Sequence, residues 1–520
     1  VGILKWTRLQ IDDDGRPSSY WGLLTASGVC SLIALDTNIV AVSLPSVARD
    51  FGVGFADIEW VISAYMLAFA SLLLPAGSIA DRYGRKPTLL VGLAIFILAS
   101  LACGAAPTVL VLEIARAVKG VGAALLLTAA LATIGHSFSD EQERARAWAF
   151  WGTCMGVTIT VAPAIGGLIT STAGWRWIFY LNLPVGGLLA LMVCRHVPPS
   201  RNTEAARLDR WGSLLFASSL FSLISGLIGA NRLGWGAPQT ACWLLAGVLL
   251  LVLFVVAERA QAQPMVDLAL FRHARFVGAL LGMAAYAACC QSMMTLLPFY
   301  LQNGLDFSAM QAGLGMFPFA ASMLVFPRVG ARLSRRLTPA AMMALGLGMS
   351  GAGNLLGAFA AGNGGYPAFA LAMIVTGAGA GLLNGDTQKN IMACVPPQRS
   401  GMASGIGASV RFSAIMMALG VYGTLLGGGT AAALAKSLHG WGPVYLARAQ
   451  CMASRVVAGD LRGALAAVAP GDAPALTPLL HQAFASGFVD CLYGAGILAL
   501  AASAAVGLLM RSPLPAARTA

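Results

Sequence analysis

The chain has 520 residues, of which 58% are hydrophobic and only 10% charged, and it contains 61 glycines. Its 33 Lys and Arg against 21 Asp and Glu leave a formal net charge of +12. This composition excludes a soluble protein wrapped round one core, and the chain lacks the alternating apolar and polar strands of an outer-membrane barrel.

Windows of transmembrane length carry no charge at all: Leu89–Ala106, Thr240–Ala257, Pro339–Pro367 and Leu492–Met510. A helix of about 20 apolar residues crosses a bilayer while satisfying its own backbone, so the expected fold is all-α and polytopic. In chain order, fourteen spans are expected near 20–46, 57–79, 88–106, 108–135, 144–170, 175–195, 211–231, 239–258, 275–302, 309–329, 338–361, 366–394, 400–427 and 486–510. The opening "VGILKWTRLQIDDDGRP" is polar and has the look of a cytoplasmic segment rather than a cleavable signal. With both termini in the cytoplasm, most Lys and Arg outside the spans fall on the cytoplasmic side, as the positive-inside rule requires. The net positive charge is then topological, with an anionic lipid bilayer rather than nucleic acid as its partner.

The spans divide the chain into a cytoplasmic segment 1–19, a six-helix bundle 20–195, and a linker 196–274 holding two additional spans. A second six-helix bundle, 275–510, and a cytoplasmic tail 511–520 complete it. Within the second bundle, 428–485 is a long outer segment whose "PVYLARAQCMASRVVAGDLRGALAAV" has apolar residues at helical spacing. It reads as a lid on the outer mouth, with docking of a periplasmic adaptor as the alternative. Ten cysteines are scattered with no metal-ligand spacing, and Cys289–Cys290 reads as small apolar packing.

"GSIADRYGRKPTLL", Gly77 to Leu90, sets Asp81, Arg82, Arg85 and Lys86 within six residues at a membrane boundary. Gly77 and Gly84 permit close approach and sharp turning, and Asp81 suits the positive end of a neighbouring helix. A tight cytoplasmic latch explains the Asp and the glycines, which topological anchoring alone does not. A fainter copy, "GARLSRRLTPAAMM", follows span 10, with Gly330 in the place of Gly77, Arg335 of Arg82 and Ser334 of Asp81. Parallel halves of this kind build many secondary transporters, with the binding site between them at mid-membrane. "GTCMGVTITVAPAIGG" puts Gly152 and Gly156 on one face of span 5, followed by Pro163, Gly166 and Gly167, a hinge at a helix interface.

Taken in order, these motifs resemble the major facilitator superfamily and its fourteen-span drug:proton antiporters. "GSIADRYGRKP" resembles the loop between the second and third spans of the superfamily. "LDTNIVAVSLPSVARDF" resembles the first span of the antiporters, "GWRWIFYLNLPVG" the start of span 6, and "LPFYLQNGLDFSAMQAGL" the join of spans 9 and 10. The span 5 motif is similar too, with Ala162 where the family usually has Gly. The resemblance implies proton-coupled efflux of small hydrophobic or amphipathic compounds, including drugs and antibiotics, across the bacterial inner membrane by alternating access. It also implies that Asp81 meets the start of span 13 near Ser400–Gly401.

Charges inside spans are functional candidates by default. Asp36 matches the first-span acid of the family and is the candidate proton site, with Glu113, Arg116 and Asp386 as further coupling residues. Glu113, Arg116 and Lys119 step by three along span 4 and share one wall. Lys119 stands where the family usually has Gln; it pairs with Asp36 or Asp386, or meets an anionic substrate. Asp386 lies in no recognised motif, and an ion pair with Lys389 is its alternative. Asn38, Tyr286, Gln291 and Gln302 are expected in the substrate cavity, together with Asn384 and Arg411. No nucleotide-binding pattern or catalytic triad is readable, so no cofactor and no enzymatic activity are expected. Proton-coupled uptake, or a membrane sensor or scaffold with a transporter fold, are the alternative functions.

Overall fold

The computed structural model describes residues 19–52, 55–138, 141–200, 209–234, 236–261, 266–307, 309–363, 365–396, 400–441, 443–457, 459, 461–466 and 472–511. The expected terminal segments up to residue 18 and beyond residue 511, and most of the linker 196–210, lie outside these.

The described chain is built from α-helices: α1 Ser19–Phe51, α2 Phe55–Tyr83, α3 Arg85–Gly104, α4 Val109–Ser137, α5 Glu141–Thr172, the short α6 Arg176–Tyr180 and α7 Asn182–His196. Then come α8 Arg210–Leu233 and α9 Pro238–Ala260. The second half holds α10 Ala274–Tyr286, α11 Ser292–Asn303, α12 Ala309–Gly315, α13 Phe317–Leu333, α14 Pro339–Asn363, α15 Gly365–Leu383 and α16 Asp386–Met392. It ends with α17 Ser400–Ser437, α18 Pro443–Val457, α19 Leu461–Ala466 and α20 Ala473–Leu509.

Thirteen segments among the described residues are long and apolar enough to cross a membrane. The expected span 211–231 lies in α8, whose described residues include the apolar stretch Trp211–Leu227. As a helix of 24 residues, α8 is still about 36 Å long, more than the hydrocarbon core requires. Large apolar side chains face outward along the helices, among them Leu98, Leu245, Val256, Phe359, Leu371 and Ile497. Lipid solvates such a surface without the penalty that water would impose.

Two spans are interrupted. A π-helical turn, Ala287–Gln291, joins α10 to α11 within the expected ninth span. In the twelfth, Gly385 takes φ +92° between α15 and α16, a conformation that suits glycine. Neither break has a proline to announce it. The outer segment 428–485 also departs from expectation, because α17 and α20 carry the helical path through much of it. The amphipathic α18 buries Ala449, Met452, Ala453 and Val456 and packs on α17, α19 and α20.

The internal repeat is written in glycine contacts. A Cβ on Gly120 of α4 would overlap the carbonyl oxygen of Tyr65 on α2, and one on Gly377 of α15 would overlap that of Phe319 on α13. Two residues further on, Gly122 touches Gly92 of α3 and Gly379 touches Gly346 of α14. Spans 2, 3 and 4 thus pack through the same close backbone approaches as spans 10, 11 and 12. Gly120→Ala and Gly377→Ala are each expected to destabilise the protein by about 1–3 kcal/mol, the usual effect of forcing atoms into a filled core. Gly167→Ala, with nothing within 4 Å of its Cβ, should leave stability unchanged. Thermal unfolding of the purified variants in detergent checks this; equal stability of all three would refute the packing argument.

The bundles meet along two seams. On one, α17 lies against α2, with Gly405 so close that its Cβ would sit 3.2 Å from the Leu74 Cα. Higher on the same seam the Phe412 and Phe69 rings cross edge to face at 4.4 Å. On the other seam α5 lies against α13, and Asn384 donates to the Gly152 carbonyl at 3.3 Å.

Candidate functional site

The first bundle encloses a group of charges sealed from solvent. The Asp36 side chain is 1% exposed, and those of Arg116 and Lys119 are 0% exposed. Arg116 Nη1 lies 2.8 Å from Asp36 Oδ2, and Lys119 Nζ lies 2.5 Å from Oδ1. Asn182 Nδ2 donates to Oδ1 at 3.0 Å, and Arg116 Nε donates to the Val61 carbonyl at 2.9 Å.

Local structure explains the convergence. Thr108 caps α4 by accepting from the Val111 amide, and three-residue spacing then aims Arg116 and Lys119 at the same side. Gly120 lets α2 approach until the Val61 carbonyl is within reach of Arg116. The Tyr65 ring covers the guanidinium at 4.2 Å, and Phe96 and Phe179 flank the ammonium at 4.5 and 5.1 Å. These rings exclude water while their faces favour cations. Asn182 arrives as the first residue of α7, supplied by the "YLNLPVG" stretch.

With all three groups ionised the cluster holds one negative and two positive charges. Buried charge is tolerated where it is paired and hydrogen-bonded, and here every Asp36 oxygen is engaged. Protonating the carboxyl would weaken two ion pairs at once and loosen the junction of α1, α4 and α7.

The other expected residues are dispersed. Glu113 is half-buried one turn from Arg116 toward the start of α4, and both recorded ion pairs of the cluster go to Asp36 instead. Asp386 opens α16 in the second bundle, where it accepts from Asn390 at 3.1 Å and interacts with the charge of Lys389, so the local alternative describes it better than a pair with Lys119. Asn38 and Gln302 donate back to their own helices, to Ala34 and Pro298, which removes them from a shared set of polar contacts. Asn384 bridges the bundles. Arg411, Gln291 and Tyr286 gather at the π turn: Arg411 Nε donates to Gln291 Oε1 at 2.7 Å, and its guanidinium lies 5.9 Å from the Tyr286 ring centroid.

In the gating motif, Gly84 has φ +99° at the start of α3. The Arg85 amide donates to Ser200 O at 3.1 Å and Lys86 Nζ to Cys194 O at 2.6 Å, so this corner is tied to the end of the sixth span. Arg82 stacks on Tyr83, Asp81 interacts with the charge of Arg85, and Gly77 is buried in α2. The side chains near Ser400–Gly401, expected opposite Asp81, lie outside the described residues. Of the hinge residues, Gly156 faces the Leu324 backbone across the α5–α13 seam, where an added Cβ would lie 4.0 Å away, whereas a Cβ on Gly166 would lie 3.2 Å from Ile39 within the first bundle. Pro163 continues α5, with its side chain outside the described residues.

Asn182, Tyr65, Phe96 and Phe179 had not been singled out; only the "GWRWIFYLNLPVG" motif pointed to their neighbourhood. The same motif supplies Trp175 and Arg176, which donate to Asp50 Oδ2 at 3.0 and 2.6 Å. These donors hold the Asp50 carboxyl below the usual carboxylate range. The pair is partly exposed and screened, so it positions the end of α1 more than it stabilises the fold.

Residues 26–420 match the family model of the Major Facilitator Superfamily. The chain is 34% identical over 412 residues to Multidrug resistance protein Stp of Mycobacterium tuberculosis, covering 78% of this chain and 76% of that protein. It is 35% identical over 434 residues to Puromycin resistance protein pur8 of Streptomyces alboniger, covering 82% and 85%. It is also 29% identical over 508 residues to the Tetracenomycin C resistance and export protein of Streptomyces glaucescens, covering 96% and 93%. Among solved structures, a bacterial homologue of the human lysosomal transporter Spinster superposes with a TM-score of 0.59 at 16% identity, covering 95% of this chain and 97% of that one.

Proposed function

The chain belongs to the major facilitator superfamily, and on that premise we propose that it exports small hydrophobic or amphipathic compounds across the bacterial inner membrane in exchange for protons. Its similarity to multidrug and antibiotic resistance proteins supports export as the direction and drugs as the substrate range. The observation that carries proton coupling is the sealed Asp36–Arg116–Lys119–Asn182 cluster, an ionisable group buried within membrane-spanning helices.

In this mechanism Asp36 takes a proton from the outer side and releases Arg116 and Lys119. The freed cations change how α4 packs on α1 and α2, and the two bundles rock about the central space between them. Release of the proton to the cytoplasm restores the ion pairs and returns the transporter to its starting state. Both termini lie in the cytoplasm, and α18 with its neighbours covers the outer end of the second bundle.

The corner at Gly84 acts as the cytoplasmic latch. Asp81→Asn removes its one negative charge, so transport is expected to fall severalfold while expression and insertion stay intact. Drug accumulation in everted vesicles carrying the variant tests this, and full activity would reduce the motif to topological anchoring. The wider reading is tested by drug accumulation in the same vesicles under an imposed pH gradient. Accumulation that persists after the gradient is collapsed would exclude proton coupling.

A further inference from the structure

Arg411 is a charged residue within a span that the proton mechanism leaves unused. It lies on α17 in line with Ser404, Ala408, Ile415, Ala418 and Tyr422, all buried, while Met417, Val421 and Leu425 face outward at another angle. At 100° per residue this stripe faces the protein interior rather than lipid. Arg411 itself is only half-buried, so it borders interior space. Among the described residues it forms no ion pair, and its Nε is held by the neutral Gln291. A guanidinium at mid-membrane is costly without an anion.

The surroundings supply donors and aromatic faces. The Tyr286 hydroxyl is buried and meets no acceptor among the described protein groups. Cys30 of the first bundle, hydrogen-bonded to the Trp151 indole, and Tyr286 of the second both interact with Arg411, which places the guanidinium between the bundles. Phe412 flanks the guanidinium at 5.7 Å and reaches Phe69 of the first bundle. The π turn sets Gln291 against Arg411, an irregularity of the kind that accompanies functional sites.

We propose that Arg411 and Tyr286 form an oxyanion-binding subsite, so that the exported compounds include organic anions with a flat apolar body bearing a carboxylate or acidic hydroxyl. This rests on the export reading and specifies its substrate class. The planar guanidinium offers two further N–H donors to such an oxygen while the rings pack on the body.

The test is calorimetric binding to the purified full chain in detergent, using 2-naphthoate, 2-naphthylmethanol and 2-naphthylmethylammonium. The naphthoate should bind tightest. Arg411→Gln should weaken it by about tenfold or more, as expected for a lost charge-assisted contact, and leave the alcohol within about twofold, well inside the effect of one such contact. Arg411→Lys should keep part of the preference, and alcohol binding by each variant reports an intact fold. Failure of naphthoate to bind, no preference over the alcohol, or an equal loss for both probes in Arg411→Gln would overturn the assignment. Naphthoate selectivity without pH-gradient-driven movement in everted vesicles would leave the subsite standing and sink the export reading. Gradient-driven export of the alcohol or the amine without naphthoate preference would do the reverse.

Discussion

Asp36→Asn should abolish pH-gradient-driven export while the protein still folds, inserts and binds substrate. The amide keeps the shape of the carboxyl group and accepts a hydrogen bond through one oxygen, but it carries no charge and cannot exchange a proton. Both ion pairs, at 2.8 and 2.5 Å, are lost together. Removing one partner from a buried pair leaves the other uncompensated, at a cost of about 3–5 kcal/mol. Lower thermal stability is therefore expected alongside the transport defect. Substrate binding to the purified variant and uphill accumulation in everted vesicles separate the two effects. Uphill accumulation at the normal rate would move the proton site away from Asp36.

Lys119→Gln should shift the pH profile of export rather than abolish it. The ammonium is buried against the carboxylate and favours its ionised form, so its loss lets Asp36 hold a proton at higher pH. The half-maximal pH should move upward, since an opposite charge at contact distance favours the ionised carboxyl. Arg116 remains in place, which preserves the junction with α2. Rates measured across a pH series at fixed gradient give the result. A profile that stays put, with activity retained, would make Lys119 a packing partner without influence on the proton.

The charged cluster was largely legible in the sequence because charge is rare inside spans and the three-residue step of α4 fixes direction. Those grounds put Arg116 and Lys119 on one wall, and the family resemblance added Asp36, while the partner of Lys119 stayed open between Asp36, Asp386 and an anionic substrate. Asn182 could not be added, since a neutral amide at a helix start carries no comparable signal. The rings round the cations were hidden for a related reason: Tyr65, Phe96 and Phe179 look like any other apolar residues until the glycine contact at Gly120 sets the spacing of α2 and α4. Asp386 shows the opposite failure. Its charge drew attention, but the break at Gly385 turns it toward Asn390 and its own helix, and helical periodicity does not foresee a positive φ.

The outer segment shows a different limit. Its helical spacing was legible, but not that α17 and α20 continue into it, because that depends on helix–helix packing.

The placement of α8 has a consequence for how a greasy compound gets in. Ile224 of α8 packs with Leu67 and Ala70 of α2, beside Phe412 and Met416 of α17. The extra helix pair therefore works as a shutter over one flank of the molecule, screening the α2–α17 seam from the bilayer. The opposite flank, where α5 meets α13, presents Val157, Val161 and Val325 outward with no such screen among the described residues. In the proposed export, a compound dissolved in the lipid leaflet is expected to enter by one flank rather than two, an asymmetry between bundles that are otherwise built alike.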